Sequence, residues 1–216
     1  MTKFPYTKYS FFYPPRPKNA IPYESIKDYD NKSFISQAKL NGSNVFIAFN
    51  HEQVHVMNRH GERMTRFQID KEEILNLHRG EVGNWIVING EYMNKSQNDK
   101  NGKVFNHKLV IFDILVYDNI HLIGNTFDQR IRLLDNLYGQ IECEDEFLYN
   151  VSENIYRVKS FLGGDFDELF SKLIKIGMYE GLVIKRKRAK LENGTNVSNN
   201  SNSQVKCRKK TRNYSF

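Results

Sequence analysis

Four consecutive residues, Leu109-Val110-Ile111-Phe112, limit the folds open to this chain more than any other stretch. They lie in a strand predicted over Lys108 to Tyr117 and are apolar on both faces, so that strand runs through the middle of a sheet. Shorter strands are predicted over Phe34 to Leu40, Asn44 to Phe49, Gln53 to Met57 and Trp85 to Tyr92, with Asn50-His51-Glu52 as a hairpin turn. Helices are fewer. Thr126 with Gln129 forms a capping box ahead of Phe127, Ile131, Leu134 and Tyr138, and Gly139 stops that helix. Asp165 with Glu168 repeats the device ahead of Phe166, Leu169, Phe170 and Leu173, with an end at Gly177, and a short helix starts at Asp70. Strands and helices follow no βαβ rhythm. The expected fold is therefore α+β, with mixed, mainly antiparallel sheets flanked by helices.

A chain of 216 residues with 39% hydrophobic side chains has material for one core. Tyr13-Pro14-Pro15-Arg16-Pro17 should be extended, which divides the chain into an N-terminal segment, 1–30, packed on a domain spanning 31–216. Two Asn-rich stretches, Asn94 to Asn106 and Glu192 to Gln204, are expected as mobile surface loops. No apolar run suits a membrane span or a secretion signal. Two cysteines, Cys143 and Cys207, exclude a disulfide scaffold and a Cys-x-x-Cys zinc pair, and a cytoplasmic location is expected. The net charge is +7, yet from Lys185 onward ten basic residues face one acid, Glu192. That end is either a solvated tail or a surface for phosphates.

The common phosphate loops are absent. No Gly-x-Gly-x-x-Gly occurs, and Gly102-Lys103 has Gln97 where a Walker loop needs glycine. His51 and His55 straddle a strand–turn–strand and make an improbable metal pair.

Short segments in a fixed order carry the chemistry instead. They are Lys39-Leu40-Asn41-Gly42-Ser43-Asn44, Asn58-Arg59-His60-Gly61, Asn89-Gly90-Glu91, Phe112-Asp113-Ile114-Leu115, Glu180-Gly181-Leu182-Val183-Ile184-Lys185 and Val205-Lys206-Cys207-Arg208. Singly each has a bland reading: Lys39 in a solvated turn, Phe112 in a core, Lys206 and Arg208 in a tail. Together, from about Gln37 to Arg208, they resemble the covalent nucleotidyltransferase superfamily of ATP-dependent DNA ligases, RNA ligases and mRNA capping enzymes, whose hallmark is Lys-x-Asp-Gly with Asn or His tolerated third in RNA ligases.

The resemblance implies a ligase nucleotidyltransferase fold with the nucleotide pocket between its sheets. It implies that the Lys39 amine attacks the α-phosphate of ATP, expels pyrophosphate and holds AMP. An unperturbed lysine has a pKa of about 10.4, so it needs desolvation or nearby cations to react. Lys185, Lys206 and a bound Mg2+ or Mn2+ are expected to supply them. Arg59 and Glu91 would grip the ribose, Phe112 would stack on adenine, and Gln37 would reach the adenine edge. Glu180 would ligate or orient the metal. Lys185, Lys206 and Arg208 would contact the α-phosphate and leaving group, although the family usually has lysine at the last position.

The partner implied is nicked duplex RNA or DNA, joined by a monomer. Asn41-Gly42-Ser43-Asn44 and Val205-Lys206-Cys207-Arg208-Lys209-Lys210 are similar to RNA-nick-sealing ligases, since DNA ligases usually carry Arg where Asn44 stands. Phe112-Asp113-Ile114-Leu115-Val116-Tyr117-Asp118, the segment from Arg130 to Leu137 and Pro14-Pro15-Arg16-Pro17 are similar to DNA ligases. RNA sealing is weakly favoured, with a DNA ligase adenylation domain as the alternative, and a capping enzyme or a non-catalytic nucleic-acid-binding module behind both. The sequence ends eight residues after Arg208, so no OB-fold is expected, and the basic end would have to hold the polynucleotide.

Overall fold

A computed structural model describes residues 15–194 and 200–210. In chain order its strands are β1 (Arg16–Ala20), β2 (Phe34–Leu40), β3 (Ser43–Phe49), β4 (Val54–Asn58), β5 (Ile86–Met93), β6 (Lys108–Tyr117), β7 (Ile120–His121), β8 (Ile141–Glu142), β9 (Leu148–Asn150), β10 (Ile155–Val158), β11 (Ser160–Leu162), β12 (Tyr179–Arg186) and β13 (Asn200–Arg208). The helices are α1 (Ile26–Tyr29), α2 (Lys71–Leu75), α3 (Phe127–Tyr138) and α4 (Phe166–Leu173).

Two sheets result. One has the order β1-β13-β12-β2-β11; the other has β4-β3-β5-β6-β10-β9-β8, with β7 on β6. The β1–β13 and β6–β10 pairs are parallel and the other pairs antiparallel. Mixed, mainly antiparallel sheets flanked by helices are thus what the sequence pattern required. β6 sits inside its sheet, and its apolar run feeds two hydrophobic clusters: Leu109 and Ile111 pack with α3, while Val110 packs with the cluster of α4. Among the described residues no helix is long and apolar enough to cross a membrane.

Strand alternation divides the five-stranded sheet cleanly. Ala38, Leu40, Leu182, Ile184, Val205 and Cys207 face the α4 cluster. Gln37, Lys39, Val183, Lys185, Gln204, Lys206 and Arg208 belong to the opposite face and line a cavity between the sheets.

Local signals were read correctly at several places. Asn50 Oδ1 accepts from Glu52 N and Gln53 N, closing the β3–β4 hairpin. Thr126 and Gln129 form the capping box of α3, and Gly139 ends it with φ of 69°. Asp70 caps α2.

Three expectations need correction. Asp165 does not cap α4; the carboxylate of Asp30 accepts from Gly164 N and Phe166 N instead, while Glu168 pairs with Lys172. The helix also stops at Leu173, short of Gly177. The polar stretch from Glu192 is not all loop, because Asn200 to Gln204 belong to β13, hydrogen-bonded between β1 and β12. Pairing with β1 supplies what its Asn and Ser residues lack in strand propensity. Residues 195–199 of that stretch lie outside the described residues.

Asn94 to Asn106 contains a built turn: Asp99 Oδ1 accepts from Asn101 N and Lys103 N, beside an Asn98–Val104 bridge. Of the segment before residue 31, residues 1–14, with Tyr13 and Pro14, lie outside the described residues. Pro17 stands in edge strand β1, where a missing N–H is tolerated, and Ile26 of α1 is fully buried.

Candidate active site

The cavity between the sheets has a volume of about 720 Å³, and Gln37, Lys39, Arg59, Glu91, Phe112, Glu180, Lys185, Lys206 and Arg208 all line it. Eight of these residues come from strands far apart in the chain, and Arg59 from the turn after β4. Pairing explains how they meet. Lys39 is opposite Gly181, which is opposite Arg208; Gln37 is opposite Val183, which is opposite Lys206. Two rows across β2, β12 and β13 therefore present their side chains to one side.

Two residues that line the cavity lie where the strand register shifts. Tyr179 pairs with Leu40 and Gly181 with Lys39, so Glu180 is an extra residue in β12. Asn89 pairs with Asp113 and Gly90 with Ile111, so Phe112 is an extra residue in β6. A bulge re-aims the side chain it carries. Glu180, in phase with core residues Leu182 and Ile184, is thereby turned to the cavity, whereas Phe112 keeps the phase of Val110 and of Glu91 opposite it.

Glycines let the strands close on this arrangement. A Cβ at Gly42 would lie 2.5 Å from Tyr92 O; without one, Gly42 N donates to Glu91 Oε1 at 3.1 Å. Gly181 has φ of +144°, and a Cβ there would lie 2.0 Å from Cys207 O.

The charged groups separate into two ends. At one end Lys39 Nζ lies 2.5 Å from Glu180 Oε2, and Arg208 Nε lies 3.4 Å from the same oxygen. Glu91 belongs to this end: burial pushes its carboxyl up to about 7, while Lys39 and the Gly42 N–H pull it down and Glu180 adds to the rise. Lys206 is held below the usual lysine range by burial, then by Arg208, Lys39 and Arg16.

At the other end Lys185 Nζ lies 5.1 Å from the Phe112 ring centroid and 4.4 Å from that of Phe127, and donates to Gln37 Oε1 at 2.8 Å. Burial lowers Lys185 to about 8; Asp113 opposes the shift and Arg130 reinforces it. Gln37 Nε2 donates to Ser160 Oγ at 3.0 Å and toward Phe112 O at 3.5 Å. The amide of Gln37 is thus bonded to protein on both sides, and Lys185 stands beside the aromatic ring. Arg59 sits in the exposed turn after β4, across the cavity, with its Nε on His60 Nε2 at 3.1 Å.

Sequence reasoning missed the partnership of Asp113 and Arg130. Arg130 Nε donates to Asp113 Oδ1 at 2.8 Å and Nη2 to Oδ2 at 2.9 Å, with both side chains buried. A carboxylate inside an apolar strand was the available signal, because a buried charge needs a partner. Asn44 Oδ1 accepts from Asn89 Nδ2 at 3.3 Å, a tie between β3 and β5 that the sequence also left unseen.

Chemically the cavity offers an amine flanked by a carboxylate and cations at one end and an aromatic face with a buried amine at the other. Among the described residues no three His, Cys, Asp or Glu side chains gather as a metal cluster. Glu180 is a hard-oxygen donor at the cavity, which fits Mg2+, an ion that takes one or two carboxylates and shares substrate phosphates.

Comparison with known proteins points the same way. A family model described as ATP dependent DNA ligase domain matches residues 17–201. The ligase domain of LigD from M. tuberculosis is similar with a TM-score of 0.61 at 16% identity, covering 90% of this chain and 58% of that one. A mycobacterial DNA ligase D complexed with ATP and MES gives 0.61 at 16% identity, covering 91% and 60%. A Lig E DNA ligase, described as binding DNA with a minimal scaffold, gives 0.59 at 16% identity, covering 92% and 69%. The chain thus spans 58% of the length of the LigD ligase domain. A search of curated proteins finds no match.

Proposed function

Because the chain belongs to the ATP-dependent DNA ligase domain family, we propose that it is the adenylation unit of a polynucleotide ligase, with Lys39 as the residue that carries AMP. The observation that supports this is the two-ended cavity: Lys39, Glu180 and Arg208 gather at one end and Phe112, Lys185 and Gln37 at the other. A nucleotide has the same polarity, triphosphate against base.

In this reading Lys39 Nζ, an ammonium at the outset, releases two protons to water in all and bonds to the α-phosphorus of ATP. The α–β phosphoanhydride bond breaks and pyrophosphate leaves. Lys206 and Arg208 offset charge on the phosphates, and alignment supplies much of the rate. Phe112 stacks on adenine, Glu91 and Arg59 hold the ribose, and Lys185 with Gln37 bounds the base end instead of the phosphate end. Glu180 would hold Mg2+ or Mn2+, whose chemistry there is neutralisation of phosphate charge. AMP then passes to a 5′-phosphate, and a 3′-hydroxyl displaces it as the strands join. The basic stretch with Lys209 and Lys210 holds the polynucleotide.

Family membership favours nicked duplex DNA as the substrate. Nicked RNA is the second reading, carried by Asn44, which stands where DNA ligases usually have Arg and is tied to Asn89. Incubation with labelled ATP and magnesium, followed by denaturing electrophoresis, tests the proposal. Label is expected on the wild type and absent from Lys39→Ala; an unlabelled wild type overturns the reading in favour of a binding module. Labelled GTP tests a capping activity, and nicked DNA, RNA and hybrid duplexes decide the strand.

A further inference from the structure

Arg130 and Asp113 form a buried ion pair behind the base end of the cavity, each at most 4% exposed. The third nitrogen of Arg130, Nη1, donates to Asn125 O at 2.9 Å, and Asp113 Oδ1 also accepts from Ile114 N at 2.9 Å. Arg130 is thus fully engaged on α3 and does not line the cavity, whereas Asp113 does. A buried pair is costly to desolvate, so its retention is best explained by what it fixes in place.

Two things next to Asp113 need fixing. Phe112 is the extra residue of β6 and has no opposite residue on β5 to set its direction, so its ring depends on the anchoring of its neighbour. Lys185 is the second. The charged groups acting on it are Asp113 from β6 and Arg130 from α3. With both Asp113 oxygens bonded to Arg130, the Lys185 amine donates to Gln37 and stays over the Phe112 ring. Released from Arg130, the carboxylate would draw Lys185 toward itself and away from Gln37.

We propose that Arg130 is a positioning residue for the nucleotide: by occupying both oxygens of Asp113 it fixes the Phe112 bulge and reserves Lys185 for Gln37, and so sets affinity at the base end without touching substrate. This rests on the reading of Phe112 as the adenine platform. The cations of the phosphate end, Lys39, Lys206 and Arg208, are carried on β2 and β13 and do not depend on it.

The test measures lysine labelling by the full chain at varied ATP, its inhibition by inorganic tripolyphosphate, and thermal melting. Arg130→Met should raise KM for ATP by about tenfold, as expected for loss of a charge-assisted bidentate contact. The kcat and the inhibition by tripolyphosphate, which has no base, should both stay within about twofold. Arg130→Lys, which keeps the charge, should recover part of the KM. Equal weakening of ATP and tripolyphosphate, or a lowered melting temperature with KM unchanged, would overturn the proposal. Should Arg130→Met not fold, Arg130→Lys and Asp113→Asn carry the same comparison. An unlabelled wild type would overturn the parent reading instead, which separates the two failures.

Discussion

Lys39 Nζ and Glu180 Oε2 lie 2.5 Å apart, and Arg208 Nε approaches the same carboxylate oxygen at 3.4 Å. The carboxylate therefore holds the amine in place and is itself shared with a second cation. Lys39→Arg keeps a cation opposite Glu180, so the protein should fold with a melting temperature near that of the wild type. It should nevertheless take no label from ATP. Glu180→Gln removes the charge but not the shape, and labelling should fall by about tenfold or more. Labelling by either variant at the wild-type rate would remove Glu180 and Lys39 from the reaction.

Glu91 gives a pH signature. Burial raises its folded carboxyl to about 7 from an ordinary value of 4.5. A raised acid adds no penalty below pH 4.5, where both states are protonated. Its cost accrues as pH rises from 4.5 to 7 and then stays constant. Glu91→Gln can still accept from Gly42 N, so it should gain stability over the wild type across that window, on the order of 2 kcal/mol at pH 8. Urea unfolding at pH 4.5 and pH 8 measures the difference, and an equal gap at both would contradict it.

Lys185 should show the opposite trend. Its folded amine is lowered to about 8 from 10.5. The buried ammonium therefore costs stability below pH 8, and the cost disappears as pH climbs to 10.5. Lys185→Met should narrow its stability difference from the wild type in the wild type's favour between those values. Calorimetry at pH 7.5 and 10.5 reads the trend. The variant should also bind ATP more weakly at both.

The cap of α4 can be tested away from the cavity. Asp30→Ala should cost about 1 kcal/mol, the usual loss for a removed helix cap. Asp165→Ala should cost only a few tenths, because Asp165 makes no capping bond. Chemical denaturation of the two variants side by side decides which carboxylate does the capping.

These residues also show what could be read without coordinates. The strands from Phe34, Asn44 and Gln53 were legible because their pattern is local, the strand from Lys108 because its run is apolar on both faces, and Thr126 with Gln129 because a capping box spans only a turn. Asp30 was not legible as a cap, since 136 positions separate it from Phe166, and nearby Asp165 imitates the same pattern. β13 was hidden by Asn and Ser residues that become a strand only by pairing with the distant β1. The lining residues of the cavity were legible as ordered short segments. Their division was not, because the placing of Lys185 beside Phe112 follows from Arg130 holding Asp113, and no spacing rule announces that pair.

Glu180 and Phe112 are each one residue more than the facing strand requires. The chemistry of this cavity is therefore encoded in strand length as much as in residue type. Shortening β12 or β6 by that single position would close the local bulge and take the carboxylate or the ring out of the cavity. A relative could lose catalysis through one codon deletion and keep its shape. Substitution scans alone would miss that vulnerability.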